Sequence, residues 1–232
     1  MNPCHVRPSI SIAVVPFLLS RQQPHVLLSR SSTSLSLLRI GVGELDVTLT
    51  HYAERFLGRT LGLAISPLTQ CGADQDLSQH PPAIDICYYG FTTSQFINGD
   101  DLVWTPLYHL LPEEDHRHSE TRLDEASDRR INQGSSVASI ELSRYDLGLI
   151  ATALAAIRHS LDRRPVIEEI EPEAFTLSYL QHRTEMLLGV RLHTQNFRRK
   201  LLDSGYLEPI DIAVNQTLGR PALLYRVRKH QG

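Results

Sequence analysis

Cysteine is scarce in this chain, and what there is stands apart. Cys4, Cys71 and Cys87 show neither paired nor metal-type spacing, which excludes a disulfide scaffold and a zinc module and leaves reduced thiols. Long hydrophobic runs are missing too. The best candidate, Ile10 to Leu19, is interrupted by Pro16 and followed by no small-residue cleavage site. A second β-like run, His25 to Ser29, comes straight after it, so the stretch reads as a strand and not as a signal peptide. Nothing else is long enough to span a membrane, and a cytoplasmic protein is expected. A strong net charge is also absent: the formal charge is -3 and the isoelectric point near 6.4, which argues against a general nucleic-acid binder. There are no internal repeats, and no Ser-His-Asp or Cys-His arrangement declares itself. No catalytic residue and no cofactor is expected.

The charge that is present is unevenly spread. From Phe175 onward nine basic residues face four acidic ones, a local balance of +5, so the remainder carries -8. Such asymmetry marks where a polyanion docks. The same segment has a pattern. Leu177, Leu180, Leu187 and Leu188 recur at helical spacing, and Gly189 sits where a helix end wants a left-handed residue. A second short helix is expected after Thr194 as N-cap, closing at Gly205, with Phe197 and Leu201 as its buried stripe. Two β-type runs follow, Ile210 to Val214 and Ala222 to Val227, joined by a turn that carries Arg220. Helix, turn, polar-basic helix and hairpin together read as a winged helix-turn-helix.

A helix placed in the major groove needs long hydrogen-bond donors on its outer face, since phosphates and guanine edges accept. Gln195 and Arg199 project opposite Phe197 and are expected to face bases. Asn196 and Lys200 share one flank, Arg198 takes the other, and Arg220 at the hairpin tip is placed for a phosphate or the minor groove. Thr194, Gln195, Asn196, Arg198, Arg199, Lys200 and Arg220 are therefore the expected contacts to double-stranded operator DNA. A lone basic run usually reads as a solvated helix face; the two-helix-plus-wing setting is what turns this one into a reader.

The rest of the chain reads as a larger mixed domain. Ser9 to Phe17 and His25 to Ser29 suggest a β-hairpin, and Ala83 to Thr92 a further strand. Thr48 to Leu61 is helical, with Leu49, Ala53, Phe56 and Leu57 on one face. Tyr145 to Leu161 is a long helix, because Leu147, Ile150, Leu154, Ile157 and Leu161 repeat at three and four. Residues 98–133 are polar and acidic, expected to be loop-rich and poorly ordered over His116 to Arg130. His116 and His118 lie there amid acids, but a solvated acidic loop explains them better than a metal site. Asp74 and Asp76 near Gly72 suit a turn. Tyr88 and Tyr89 point to opposite faces of their strand, and Cys87 beside them suits the core.

The C-terminal motifs FTLSYLQ, NFRRKLL, GYLEP and GRPALLYR, in that order, resemble the NrtR family of bacterial transcriptional regulators. The resemblance implies an α+β architecture: a Nudix-like mixed α/β sandwich over 1–164, a linker over 165–174, and a winged helix-turn-helix over 175–232. It implies a homodimer formed by the N-terminal domains, repression of NAD-related or other metabolic genes, and response to ADP-ribose or a related nucleotide. A hinge is expected between Arg163 and Glu173, bracketed by Pro165 and Pro172.

The Nudix pattern itself runs Gly, then Glu, then Arg-Glu-hydrophobic-any-Glu-Glu-any-Gly-hydrophobic at fixed intervals. Anchored on Gly62-Leu63, Arg55 falls on the Arg, Leu57 on the hydrophobic position and Gly41 on the first Gly. Val47, Phe56, Arg59 and Thr60 fall where the glutamates belong. Those glutamates hold a divalent metal and its activated water, because such ions want hard carboxylate oxygens. The expectation is a box that keeps its geometry and has lost its chemistry, with no metal, and with Arg39 or Arg55 available to a phosphate. An active phosphohydrolase of a nucleoside diphosphate derivative is the alternative, and a winged domain used for protein contacts alone is a third reading.

Overall fold

The computed structural model describes residues 9–19, 23–43, 46–77, 82–107, 110, 141–164, 173–210 and 223–228. The first strand is β1 (Ser9–Leu19), whose apolar run is buried from Ile12 onward because it lies in the middle of a mixed sheet. One edge pairs in parallel with β6 (Ala83–Thr92) along its length. The other edge is shared. Its C-terminal end forms the expected hairpin with β2 (Pro24–Arg30), and its N-terminal half pairs with β4 (Leu38–Gly41). Beyond β2 lie β3 (Ser34–Ser36), which also meets β8 (Glu141–Leu142), and β7 (Leu102–Pro106). The far edge is β5 (Thr69–Asp76), antiparallel to β6.

Alternation along the strands separates two apolar layers. Ala13, Val15, Phe17, Cys87, Tyr89 and Phe91 face the long helix α2 (Arg144–Arg163). Ile12, Val14, Leu38, Ile40 and Tyr88 face the shorter helix α1 (Leu49–Leu61). The sheet is therefore sandwiched between helices, and Tyr88 and Tyr89 both pack, one on each side. Helix α1 starts at its N-cap Thr48, which accepts from the His51 N–H, and stops at Gly62, which has φ 63°. A Cβ on Gly62 would lie 2.8 Å from Asn98 Nδ2, the movable end of a side chain, so it is the backbone angle that calls for glycine. Ala53 and Leu57 are its buried residues; Leu49 and Phe56 are half-buried. On α2 the buried stripe is Leu149, Ile150, Ala153, Leu154, Ile157 and Leu161, while Leu147 is only half-buried.

One sequence expectation is overturned, and three further features were not foreseen. Asp74 and Asp76 lie within β5, a polar strand, and not in a turn. Within residues 98–133, expected to be loop-rich, β7 pairs with β2. Cys71 and Cys87 are free thiols as expected, and β5 and β6 bring them side by side, the Cys87 carbonyl accepting the Cys71 thiol at 3.4 Å. Short β3 and β4 were not expected at all. The predicted disorder of His116 to Arg130, and with it His116 and His118, lies outside the described residues, as does most of the Arg163–Glu173 hinge.

The C-terminal part is a separate core. Helix α3 (Leu177–Leu188) and helix α4 (Thr194–Asp203) pack Leu177, Leu180, Phe197 and Leu201 against strands β9 (Leu207–Ile210) and β10 (Leu224–Val227) through Leu207 and Tyr225. Among the described residues the wing strands start elsewhere than expected: β9 already begins at Leu207 and includes Pro209, and β10 begins at Leu224, while residues 211–222 lie outside the described residues. Phe175 adds an unexpected rung, exchanging both backbone hydrogen bonds with Tyr225.

Candidate nucleic-acid interface and effector site

Two surfaces hold residues singled out by the sequence. On the first, α4 buries Phe197 and Leu201 and presents Gln195, Asn196, Arg198, Arg199 and Lys200 to solvent. Gln195 and Arg199 lie on the side away from Phe197, as the helical period requires. Arg198 is held inward by its Nη2, which donates to Ser178 Oγ of α3 at 3.1 Å. Thr194 is not the N-cap. His193 is, its Nδ1 accepting from the Asn196 N–H at 3.4 Å, and Thr194 is the first helical residue. A ring nitrogen two bonds from Cβ reaches this position as a carboxamide or carboxylate oxygen does, which a preference for Ser, Thr, Asp and Asn misses. Arg220 lies outside the described residues.

The angle between α3 and α4 is set by a fastened turn. Gly189, with φ 68°, caps α3 by donating its N–H to the Glu185 carbonyl at 2.9 Å. The buried Glu185 carboxylate then accepts from Leu192 N–H at 2.9 Å, Gln181 Nε2 at 2.9 Å and Arg191 Nη1 at 3.0 Å. Burial alone would raise its pKa. The hydrogen bonds from Leu192, Gln181 and Arg191 outweigh that and hold the carboxyl below its ordinary range. The Gln181 amide also donates to Leu192 O and Thr194 Oγ1, so one side chain ties both helices to the turn. Sequence reasoning singled out neither residue; a Gln and a Glu four apart on the first helix were the available signal. Across the wing, Arg226 Nε pairs with Glu208.

The second surface is α1, at the Nudix-type positions. Leu57 and Leu63 are buried, Gly62 makes the left-handed stop and Gly41 ends β4, so the loop-helix-loop frame is present. Where the pattern places its glutamates, Phe56 is half-buried, Arg59 and Thr60 are exposed, and Val47 is half-buried. None offers a carboxylate, and among the described residues no group of three His, Cys, Asp or Glu side chains is placed to hold a metal. This donor set does not fit a divalent ion. The nearest acid, Glu54, is turned onto the Leu68 N–H at 3.1 Å.

Instead the exposed face of α1 carries two cations four residues apart, Arg55 and Arg59, with His51 four residues before them. Stacked like charges cost a helix about 0.2–0.5 kcal/mol per pair. Gly58 sits in the same face, and a Cβ there would meet nothing within 4 Å. A mid-helix glycine costs about 0.5–1 kcal/mol against alanine, so packing gives no reason for it. Arg39, the other predicted phosphate partner, lies across the sheet on the α2 side. Its Nε donates to Asp85 at 2.8 Å and its Nη2 to Asp146 at 2.6 Å. Asp146, in the first turn of α2, also accepts from the Leu37 N–H at 3.3 Å, and Ser11 Oγ donates to Asp85. Arg39 thus clamps the start of α2 to the sheet.

The two parts meet along α2. Leu187 and Leu188 of α3 join the apolar layer under α2, and Arg158 Nη2 donates to the Leu188 carbonyl at the α3 C-terminus at 3.3 Å. Arg164, at the end of α2, stacks over the Tyr206 ring at 5.5 Å, next to the wing.

Set beside known proteins, the chain has the fold of a Nudix-like domain joined to a winged helix-turn-helix. The crystal structure of Shewanella oneidensis NrtR superposes with a TM-score of 0.67 at 21% identity, covering 94% of each chain. The same protein complexed with a 27mer DNA gives 0.68 at 21% identity, over 94% of this chain and 93% of that one. A MutT/nudix family protein from Enterococcus faecalis gives 0.68 at 18% identity, over 98% and 89%. Residues 169–227 match the model of the NrtR DNA-binding winged helix domain. No match was found among curated protein sequences.

Proposed function

We propose that this protein is a cytoplasmic, ligand-responsive transcriptional regulator of the repressor kind, acting on NAD-related or other metabolic genes. It reads double-stranded operator DNA through α4 and the wing, and senses a nucleotide such as ADP-ribose in a Nudix-like domain that does not hydrolyse it. The single observation that carries the reading is the outer face of α4: Gln195, Asn196 and Arg199 stand exposed on a helix whose angle is fastened by Glu185. The match of residues 169–227 to a DNA-binding winged helix and the shared fold with an NrtR–DNA complex support it. The missing carboxylates on α1 favour an inert sensor over the hydrolase alternative. In this reading residues 1–164 sense and dimerise, 165–174 link, and 175–232 read DNA. Arg39, engaged by two carboxylates, is structural, which leaves Arg55 as the cation for phosphate.

The test begins with duplexes selected from a random-sequence pool, bound to the full-length protein and followed by fluorescence anisotropy. Arg199→Ala is expected to cost about 1–3 kcal/mol on the selected duplex and to relax base preference. Lys200→Ala should weaken all duplexes and flatten the salt dependence. Light scattering of the complex should give two protomers per duplex, since one reader spans only a half-site. Unchanged binding by Arg199→Ala and Lys200→Ala combined in one protein, or one protomer per duplex, would contradict the assignment.

A further inference from the structure

The fold implies a divalent metal along α1, and the residues present do not fit one. They fit the metal's usual ligand. We propose that the exposed face of α1 is a metal-independent anion site that takes the diphosphate of a nucleotide effector, with Arg55 and Arg59 as its cations and His51 at its flank. The inference rests on the effector reading above and gives that site its chemistry.

Three observations converge on this face. The charge is inverted at a position where the Nudix pattern requires acid, because Arg59 stands in place of a glutamate. In a metal-dependent site, anionic side chains hold a cation that in turn holds the phosphates. Guanidinium groups reach the same phosphates directly, with paired donors matched to phosphate oxygens. Second, the neighbouring acid is diverted: Glu54 spends its Oε1 on the Leu68 amide, and neither Arg55 nor Arg59 has an ion-pair partner among the described residues. Third, Gly58 follows Arg55 by one turn and immediately precedes Arg59 on the exposed side of the helix, with open space where a Cβ would be. A helix surface that stacks cations and gives up a side chain is poorly built for stability and well built for close approach of an anion. Arg59 alone would suit the helix C-terminus through the dipole. That does not explain Arg55 stacked one turn before it, nor Gly58.

Calorimetric titration of the full-length protein with ADP-ribose, and separately with inorganic pyrophosphate, tests the proposal. ADP-ribose should bind equally well in EDTA and in Mg²⁺. Arg55→Ala/Arg59→Ala and Arg59→Glu should each weaken it by about tenfold or more, as expected for loss of charge-assisted hydrogen bonds. The melting temperature of each variant checks that the exposed substitutions leave the fold intact. Gly58→Ala should melt higher and bind more weakly. Binding that requires Mg²⁺, that survives Arg59→Glu, or that is absent in the wild type would overturn the site. So would pyrophosphate binding as tightly as ADP-ribose, which would assign the face to free diphosphate. DNA binding by the same variants is read in parallel: if it is intact, failure here leaves the operator reading standing.

Discussion

Single side chains fix the geometry on which DNA reading depends. Glu185 holds three donors from the α3–α4 turn while nearly buried, so it sets the angle at which α4 projects. Its pKa is depressed in the fold, by hydrogen bonds that outweigh the upward push of burial. Linkage then fixes the sign: its contribution is fully present above the ordinary unfolded value of about 4.3 and is lost as pH falls through the lower, folded value. Glu185→Gln should lose about 1.5–3 kcal/mol near neutral pH, the worth of hydrogen bonds to a charged group. Thermal unfolding against pH checks this, and the gap between wild type and variant should close on acidification. A gap that widens in acid would mean that the carboxylate is not what fastens the turn.

Among the elements, those built on strong periodicity were legible in the sequence. The β1–β2 hairpin, β6 and all four helices fall close to where apolar spacing places them. The missed elements lack that signal for physical reasons. The exposed residues of β5 are largely polar because it is the sheet's outer edge, where polar side chains discourage pairing with other chains. The strand β4 is four residues long with Arg39 in its middle, which makes sense only once Asp85 and Asp146 are seen opposite it. In β9, Pro209 reads as a break, yet in a two-stranded sheet its missing N–H is tolerated at an edge. At the site, the exposed face of α4 was readable from its period, whereas the Gln181–Glu185 fastening depends on contacts across the turn. The clamp between β4 and α2 carries its own consequence. Arg39→Leu should destabilise the protein by about 3–5 kcal/mol, because it strands the fully buried Asp85 without its counter-charge. Chemical denaturation would show the loss; a stability within 1 kcal/mol of wild type, on the order of a surface substitution, would remove Arg39 from this role.

At the scale of the whole molecule, α2 is the common element. Its first turn is clamped to the sheet through Asp146, its middle packs over the core, and its far end meets the reader through Arg158 and Arg164. For an effector at the site proposed on α1 to shift DNA affinity, it must act across the same sheet and favour one arrangement of the two parts over the other. In the function proposed, one chain both reads DNA and senses an intact nucleotide. The most direct measurement is a single titration of ADP-ribose into the preformed protein–duplex complex, with anisotropy and AMP followed together. The account predicts that anisotropy falls to the value of free duplex while all ADP-ribose is recovered uncut, in Mg²⁺ as in EDTA. AMP released above a protein-free blank, or a complex unmoved by saturating ADP-ribose, would contradict it.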